Sequence, residues 1–470
     1  MAKKYKKGVE IRLPISKHID INFRDYALYV LENRGIPSFY DGLTNVQKFI
    51  LQNAPSNFNK TISLVGDCIS AGYHHGDSSV KGAINKLARP FGCAQQMLEG
   101  DGFFGTPVNH EAAAPRYTSV KINKDVQGII KENSFLNSKD EEGLWNPLWT
   151  RLPLGLTTTI IGIAVGYKTT ILPRSIEDIE NYLQGKSKEV IPSFIGFSGK
   201  VTRFQNLDRS WLIQGNYKID QKHKSIHITS LPPMMKYKKF LSKVDGLLTK
   251  YEDKFTIKNN SSDDIDMLIT FRGRSQDQFV EFTKDIEKNV KMLVTETPVF
   301  VKDGSVLVYE KIEDYLDDFK YRLQELELRK QEYYLNKTSF ELEFQRAKLD
   351  YLKFMLVKKR TEDEIFEFFE SYDKKIATRL DTIKLRNLTD EEIIRVKDKI
   401  KELEKEEKSL IRLVDKLNKA FDKLIDPTIK RKTDNRVNQT DLFDDSDFED
   451  YDGIEIFGNE KREMAEDLNE

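Results

Sequence analysis

The feature that most restricts this chain is a pair of heptad runs near its C-terminal end. Leu328, Leu335, Leu342, Leu349 and Leu356 recur every seven residues, and Val396, Leu403, Leu410, Leu417 and Leu424 do the same. In the second run Ile393, Ile400, Val414 and Phe421 stand three residues ahead, giving an a/d seam interrupted only by Glu407. Residues 321–425 contain no glycine or proline and are rich in Glu, Lys and Leu. The pattern predicts two long helices with a helical stretch between them, folded out and back as an antiparallel coiled coil. A long helical bundle with no special role would show the same periodicity. Such an arm must end in something, and Ile365–Phe369 (Ile-Phe-Glu-Phe-Phe) offers an apolar tip for self-association.

The remainder reads differently. At 470 residues the chain is too long for one core, so two to four domains are expected. In the N-terminal third, Ala27–Glu32 has a helical pattern that runs into a stop at Asn33–Pro37. Asp77, Ser78 and Ser79 cap a predicted helix from about Val80 to Ala88, ended by Pro90. From about residue 171 to 233 strands dominate, at Val190–Phe197, Ser210–Gly215 and Ser225–Ser230, and residues 234–320 mix helices with strands such as Met267–Phe271.

Composition excludes several classes. Two cysteines, Cys68 and Cys93, provide no disulfide framework and point to a reducing compartment, and no Cys/His cluster has zinc spacing. No apolar run approaches a membrane span, and the basic first residues lack the apolar core of a secretory signal, so the expectation is a cytoplasmic protein with no membrane partner. The net charge of −1 is unevenly spread. Residues 441–470 hold thirteen Asp/Glu against two Lys/Arg, which leaves +10 on residues 1–440. A body with that charge permits a phosphate-rich partner without demonstrating one.

Five segments carry the chemistry. They are Asn33–Pro37 with Asp41–Lys48; Gly72–Ser78 (Gly-Tyr-His-His-Gly-Asp-Ser); Glu99–Gly105; Ala112–Tyr117 (Ala-Ala-Ala-Pro-Arg-Tyr); and Gly162–Gly166 (Gly-Ile-Ala-Val-Gly). In this order and spacing they resemble the breakage–reunion subunit of type IIA DNA topoisomerases, the family of gyrase A and topoisomerase IV A. The Tyr-His-His-Gly form resembles the phage and eukaryotic members most. The resemblance is strong over residues 25–170, looser through the strand region, and rests on Leu388–Glu392 in the coiled coil.

The resemblance implies an α+β multidomain chain. A basic arm would occupy residues 1–24, a winged-helix DNA-cleavage domain 25–165, a mixed α/β tower 166–320, a coiled coil ending in a dimerisation gate 321–428, and an acidic, disordered tail 429–470. It implies Tyr117 as the nucleophile, with Arg116 on the scissile phosphate and Arg34, Lys48 and His75 holding or polarising it. A tyrosine can displace the 3′ oxygen of a phosphodiester and conserve the bond as a phosphotyrosine, and cations offset the charge of the transition state. His74, Ser78, Lys81 and Lys86 would face DNA from the predicted helix, and Ile163 would wedge between base pairs. The usual Asp-Gly-Leu-Lys-Pro run reads Asp-Gly-Leu-Thr-Asn here, at Asp41–Asn45, with one cation fewer.

Neither a Gly-rich nucleotide loop nor a strand-borne acidic cluster is evident; Asp314–Asp318 falls on a predicted helix. The resemblance implies that Mg²⁺ and ATP are held by a large ATPase/toprim partner subunit, with no metal held by this chain. Double-stranded DNA and a second copy of the chain are the other implied partners. The expected outcome is relaxation or decatenation. The alternatives are a gyrase-like supercoiling subunit, which the lack of a following DNA-wrapping domain argues against, and a non-catalytic coiled-coil DNA-binding protein.

Overall fold

The computed structural model describes residues 15–139, 144–145, 147–204, 209–251, 254–358, 360–383, 389–424, 426–428 and 455–457. The chain divides into two units, residues 1–320 with 427–470, and residues 321–426.

The first unit begins with α1 (Ile15–Val30), which continues into a π-helical turn at Leu31–Gly35. The predicted stop at Asn33 is thus displaced to Ile36, whose backbone is extended. The first residues of α1 also fall inside the segment expected to be a basic arm, while residues 1–14 of that arm lie outside the described residues. Next come α2 (Asn45–Asn53), β1 (Asn59–Lys60), α3 (Thr61–Ser70), α4 (Asp77–Ala88), β2 (Leu98–Asp101) and β3 (Ser119–Ile122). Gln47 caps α2 by accepting the Thr44 amide at 2.9 Å. Phe49, Ile50 and Leu51 of α2, Leu64, Val65 and Cys68 of α3, and Val80, Ile84 and Leu87 of α4 are buried, so the inward faces of all three helices are apolar. A three-stranded antiparallel sheet, order β1-β3-β2, completes this part. After α5 (Lys124–Glu132), β4 (Ile160–Ala164) and β5 (Tyr167–Ile171) form a hairpin whose turn uses Gly166 at φ +78°.

The strand-rich region supplies α6 (Ile176–Leu183), β6 (Lys200–Arg203), β7 (Ser210–Gln214), β8 (Tyr217–Asp220), β9 (Ser225–Ile228), α7 (Tyr237–Lys250), β10 (Phe255–Asn259), β11 (Met267–Phe271), α8 (Gln276–Asn289), β12 (Lys291–Thr295), β13 (Val299–Lys302) and β14 (Ser305–Val308). β8 to β11 build one sheet, order β10-β11-β9-β8, and β6, β7 and β12 belong to a second. Trp211, Ile213, Ile226, Ile228, Phe240, Phe279, Phe282 and Met292 join both sheets and α7 and α8 in one core. The strand predicted at Val190–Phe197 does not form. Pro192 offers no ladder donor, and Ser193 and Ile195 donate instead to the carbonyls of Pro173 and Cys93. The acidic tail expected to be disordered contains one described element, β15 (Glu455–Phe457), which pairs parallel with β12. Residues 429–454 and 458–470 lie outside the described residues.

The second unit takes in α9 (Ile312–Val357) from Tyr321 onward, then α10 (Glu362–Glu370), α11 (Lys374–Asp381) and α12 (Asp390–Phe421). Thr389 caps α12 by accepting from Glu392 N–H at 3.2 Å. Tyr321 packs on Phe421 with centroids 5.0 Å apart, Arg346 pairs with Glu404 at 2.8 Å, and Lys348 pairs with Glu392 at 2.6 Å. Rising numbers on α9 meet falling numbers on α12, so the pair is antiparallel, as the heptads predict. Leu328, Leu342, Val396, Leu403 and Val414 are buried in the seam, whereas Leu356 and Leu424, at the ends of the two runs, are exposed. Glu407, the interruption, accepts a hydrogen bond from Ser339 Oγ at 2.7 Å. Phe344, Tyr351, Ile376 and Leu380 form a core at the α10–α11 end with Phe368 and Phe369 packed against it, and Phe366 is 64% exposed.

Candidate active site

Tyr117 ends the Ala112–Arg116 loop, and two anchors fix that loop. On one side Ala113 donates to the Phe103 carbonyl at 2.9 Å. The Glu99–Gly105 segment can approach so closely because Gly102 adopts φ +103° and Gly105 φ +93°, backbone that side chains disfavour. On the other side the loop is tied to the start of α3. Thr61 N–H donates to Thr118 O at 3.0 Å, Ile62 N–H to Pro115 O at 3.3 Å, and the Thr118 hydroxyl to Thr61 Oγ1 at 2.8 Å. Between these anchors the Tyr117 amide turns back to Ala114 O at 2.8 Å, and its ring stands 67% exposed. The Arg116 guanidinium lies 4.9 Å from the ring centroid. A rigid backbone therefore presents an accessible phenol with a cation beside it.

A second group forms around His75. Arg34, on the π-helical turn after α1, places Nη2 at 3.4 Å from His75 Nδ1. A guanidinium has no acceptor, so the contact has Arg34 donating to an unprotonated Nδ1 and leaves the ring proton on Nε2. Tyr29 and Tyr73 pack edge-on against the imidazole at 6.2 and 5.2 Å, and the Tyr73 hydroxyl is 3.0 Å from Ser79 Oγ. Asn45 Nδ2 donates to Asn33 Oδ1 at 2.8 Å, tying the turn that carries Arg34 to α2. The sequence motifs brought Arg34 and His75 together; Tyr29, Tyr73 and the Thr61–Thr118 pair were missed. Tyr29 sits in a plain helical pattern with no signal of its own, whereas Tyr73 adjoins the His-His pair and could have been marked.

Lys48 occupies a different environment from the one expected. It is 2% exposed and paired with the fully buried Asp41 at 3.0 Å. Asp41 Oδ1 also accepts the Leu43 amide at 2.8 Å, and Gly42, at φ +70°, packs on Gly155, where an added Cβ would lie 1.6 Å from Gly42 O. Asp41 and Lys48 thus hold a turn together, and the ammonium is not offered to the surface. His74 and Ser78 are exposed near the start of α4, and Lys81 is tied to Asp77 one turn earlier. The hydrogen bond from Lys81, before all else, holds the Asp77 carboxyl below its ordinary pKa. Lys86 keeps exposed surface, but crowding of its ammonium end by the protein, and then Arg89, lowers its pKa. Among the described residues no group of three or more His, Cys, Asp and Glu is placed to hold a metal, and no helix is long and apolar enough to cross a membrane.

Ile163 stands 62% exposed on β4. The opposite face of its strand is pressed against the Arg34 turn: a Cβ on Gly162 would lie 1.7 Å from Gly35 O, and one on Gly35 would lie 2.4 Å from Ile163 O. Ile161 is 43% exposed, while Ile160 is buried. A further exposed stripe, which no motif marks, runs along α3 as Ile62, Gly66 and Ile69, at helical spacing.

Residues 34–427 match the family model for the A subunits of DNA gyrase and topoisomerase IV. The chain belongs to this family. The match takes in Arg34, Lys48, His75, Tyr117 and Ile163 alike. The DNA topoisomerase medium subunit of Enterobacteria phage T4 is 31% identical over 241 residues, which span 48% of this chain and 53% of that protein. The DNA gyrase A subunit of Escherichia coli K12 is 31% identical over 180 residues, covering 36% of this chain and 21% of the gyrase protein. This member of the gyrase A family therefore spans about half the length of the phage relative and about a fifth of the bacterial one. The crystal structure of the Plasmodium falciparum topoisomerase II DNA-binding, cleavage and re-ligation domain superimposes with a TM-score of 0.68 at 21% identity, over 90% of this chain and 64% of that one. The mixed α+β fold of this gyrase A family member is the fold of that domain.

Proposed function

We propose that the chain is the DNA-cleaving subunit of an ATP-dependent type IIA topoisomerase. The observation that carries the reading is Tyr117, an exposed phenol on a doubly anchored loop with Arg116 beside it. In this reading Tyr117 Oη attacks a DNA phosphate, the O–P bond to tyrosine forms, and the P–O3′ bond breaks. The phenolic proton is given up and the 3′ oxygen gains one, leaving a 5′-phosphotyrosine and a free 3′ hydroxyl. Resealing is the reverse and needs no further energy source. Arg116 and Arg34 offset the charge gathered on the phosphate, and His75 offers an Nε2–H donor. Lys48 acts at one remove, by holding the Asp41–Leu43 turn.

Residues 25–165 then form the winged-helix domain, 166–320 the tower, and 321–428 the coiled coil and exit gate. His74, Ser78, Lys81 and Lys86 line the DNA-facing side, with Ile163 as the wedge that kinks the cleaved duplex. Two exposed stripes give the partners places to dock. Ile62, Gly66 and Ile69 beside the Tyr117 loop fit a second copy of the chain, with Phe366 a second self-contact at the gate. Phe23 (58% exposed) and Tyr26 (53% exposed) on α1 fit the large ATPase/toprim subunit. That subunit would bring Mg²⁺ and ATP, which supply Lewis-acid help and the drive for strand passage. The product of the cycle is relaxed or decatenated DNA.

The test is plasmid cleavage in the presence of Mg²⁺ and a toprim-bearing partner, stopped with denaturant. Linear DNA carrying protein on its 5′ ends, absent with Tyr117→Phe, supports the reading. Cleavage that persists in Tyr117→Phe assigns the chemistry to another nucleophile.

A further inference from the structure

The β4–β5 hairpin presents two isoleucines to solvent. Ile161 and Ile163 alternate with the buried Ile160 and Gly162, so they share one face of the strand, at 43% and 62% exposure. The pair is unusual for its setting, because nothing in the register requires an apolar residue at 161. Its cross-strand partner is Thr170, and that of Ile163 is Lys168. The opposite face has no freedom, since Gly162 and Gly35 leave no room for a side chain between the backbones. The hairpin is thus a stiff two-stranded blade, backed by the Arg34 turn and armed on its outer face with two branched apolar side chains.

We propose that Ile161 is a second apolar contact to duplex DNA, set two base steps from Ile163, and that the two together select cleavage sites by the deformability of neighbouring steps. The inference rests on the reading of Ile163 as the wedge. Residues i and i+2 of a strand stand about 6.6–6.8 Å apart, and two base steps of B-DNA rise about 6.8 Å. A strand running along the duplex therefore brings Ile161 level with the second step beyond the one opened by Ile163. The composition of the face agrees with this occupant. Two apolar teeth, with Lys168 across the strand from one of them, suit base edges flanked by phosphates. Pyrimidine–purine steps unstack most easily, so a two-tooth blade favours sites where two such steps lie at that spacing, whereas a single wedge reads one.

The test uses the full-length chain with Ile161→Ser, Ile163→Ser and the conservative Ile161→Val, each first shown to melt like the wild type. Binding to a randomised pool of short duplexes is followed by sequencing of the bound fraction, and bending is read by energy transfer between labelled duplex ends. Ile161→Ser should bind about three- to tenfold more weakly, as the loss of one partly buried aliphatic side chain implies. It should lose sequence preference at one position, two steps from the position that Ile163→Ser relaxes, and Ile161→Val should keep both. An unchanged affinity and profile for Ile161→Ser, with Ile163→Ser altered, overturns the inference and leaves the wedge intact. An unchanged bend in Ile163→Ser removes the wedge reading itself and the inference with it. An unchanged DNA profile in Ile161→Ser together with lost association with the ATPase/toprim subunit overturns it in favour of a protein contact.

Discussion

Glu296, between β12 and β13, ties several buried donors together. Its carboxylate accepts from both Nη atoms of Arg174, from Trp211 Nε1 at 2.8 Å and from the Leu172 amide at 2.6 Å. Arg174 is fully buried and also donates to the carbonyls of Leu172 and Val190, at 2.7 and 3.3 Å. Glu296→Leu keeps the volume and strands the guanidinium and two N–H groups away from water. Breaking a buried pair from one side costs about 3–5 kcal/mol, and Arg174→Leu should cost a similar amount. In the double variant no charge is left unpaired; the Trp211 and Leu172 donors and the Leu172 and Val190 carbonyls lose neutral hydrogen bonds, the costs that both singles carry beside the stranded charge. Its loss should therefore fall well short of the sum of the two singles. Urea unfolding followed by Trp211 emission, with Trp145 and Trp149 replaced by Phe, reads this part of the chain directly. For a urea slope near 2 kcal/mol per molar, each single variant should lower the midpoint by roughly 1.5–2.5 M. Singles that cost less than about 1 kcal/mol, or a double that equals their sum, would refute the argument, because the charges would then not be coupled.

Three further outcomes follow from the geometry. Burial, then Arg89 and Lys236, push the His110 pKa down to about 4 from 6.5. The neutral ring is therefore favoured in the fold, its contribution is complete above pH 6.5, and it is lost as pH falls from 6.5 to 4. After allowance for partial exposure, His110→Gln should flatten the stability profile in that window by roughly 1–2 kcal/mol, read from urea midpoints at successive pH. Gly162→Ala places a Cβ 1.7 Å from Gly35 O and should cost about 2 kcal/mol or more by overpacking, with DNA bending reduced in parallel; a variant with wild-type melting and bending would contradict the close approach. Glu407→Leu completes the seam and should raise the stability of residues 321–426 by about 1 kcal/mol, seen as later loss of helical circular dichroism on heating; a lower melting temperature would give the Ser339 bond the larger weight.

What could be read from the sequence was whatever carries its own period or motif. The heptads located α9 and α12 and even their direction, because two apolar seams joined by a short helical stretch have few ways to close. The five motifs marked the loop of Tyr117 and the Arg34–His75 contact, since those segments keep their spacing whatever surrounds them. Tertiary context decided the rest. Lys48 looked like a surface cation, and only its distance to Asp41 shows it to be buried. Val190–Phe197 has strand composition but lies where Pro173 and Cys93 take its amides. Ile161 sits in an apolar run whose alternation is visible only once β5 fixes which face is inward. The pairing of β15 with β12 spans more than 150 residues and left no local signal.

The two facing glycines at 35 and 162 have a mechanical consequence. With no side chain between them, the backbone of β4 and the backbone carrying Arg34 move as one solid part. In the proposed wedge reading, a duplex that resists kinking would push on the hairpin, and that push would be delivered undamped to the guanidinium beside His75. Stiff tracts of DNA would then be poor substrates even when bound, because the load that spares the helix from bending also draws the phosphate grip out of line.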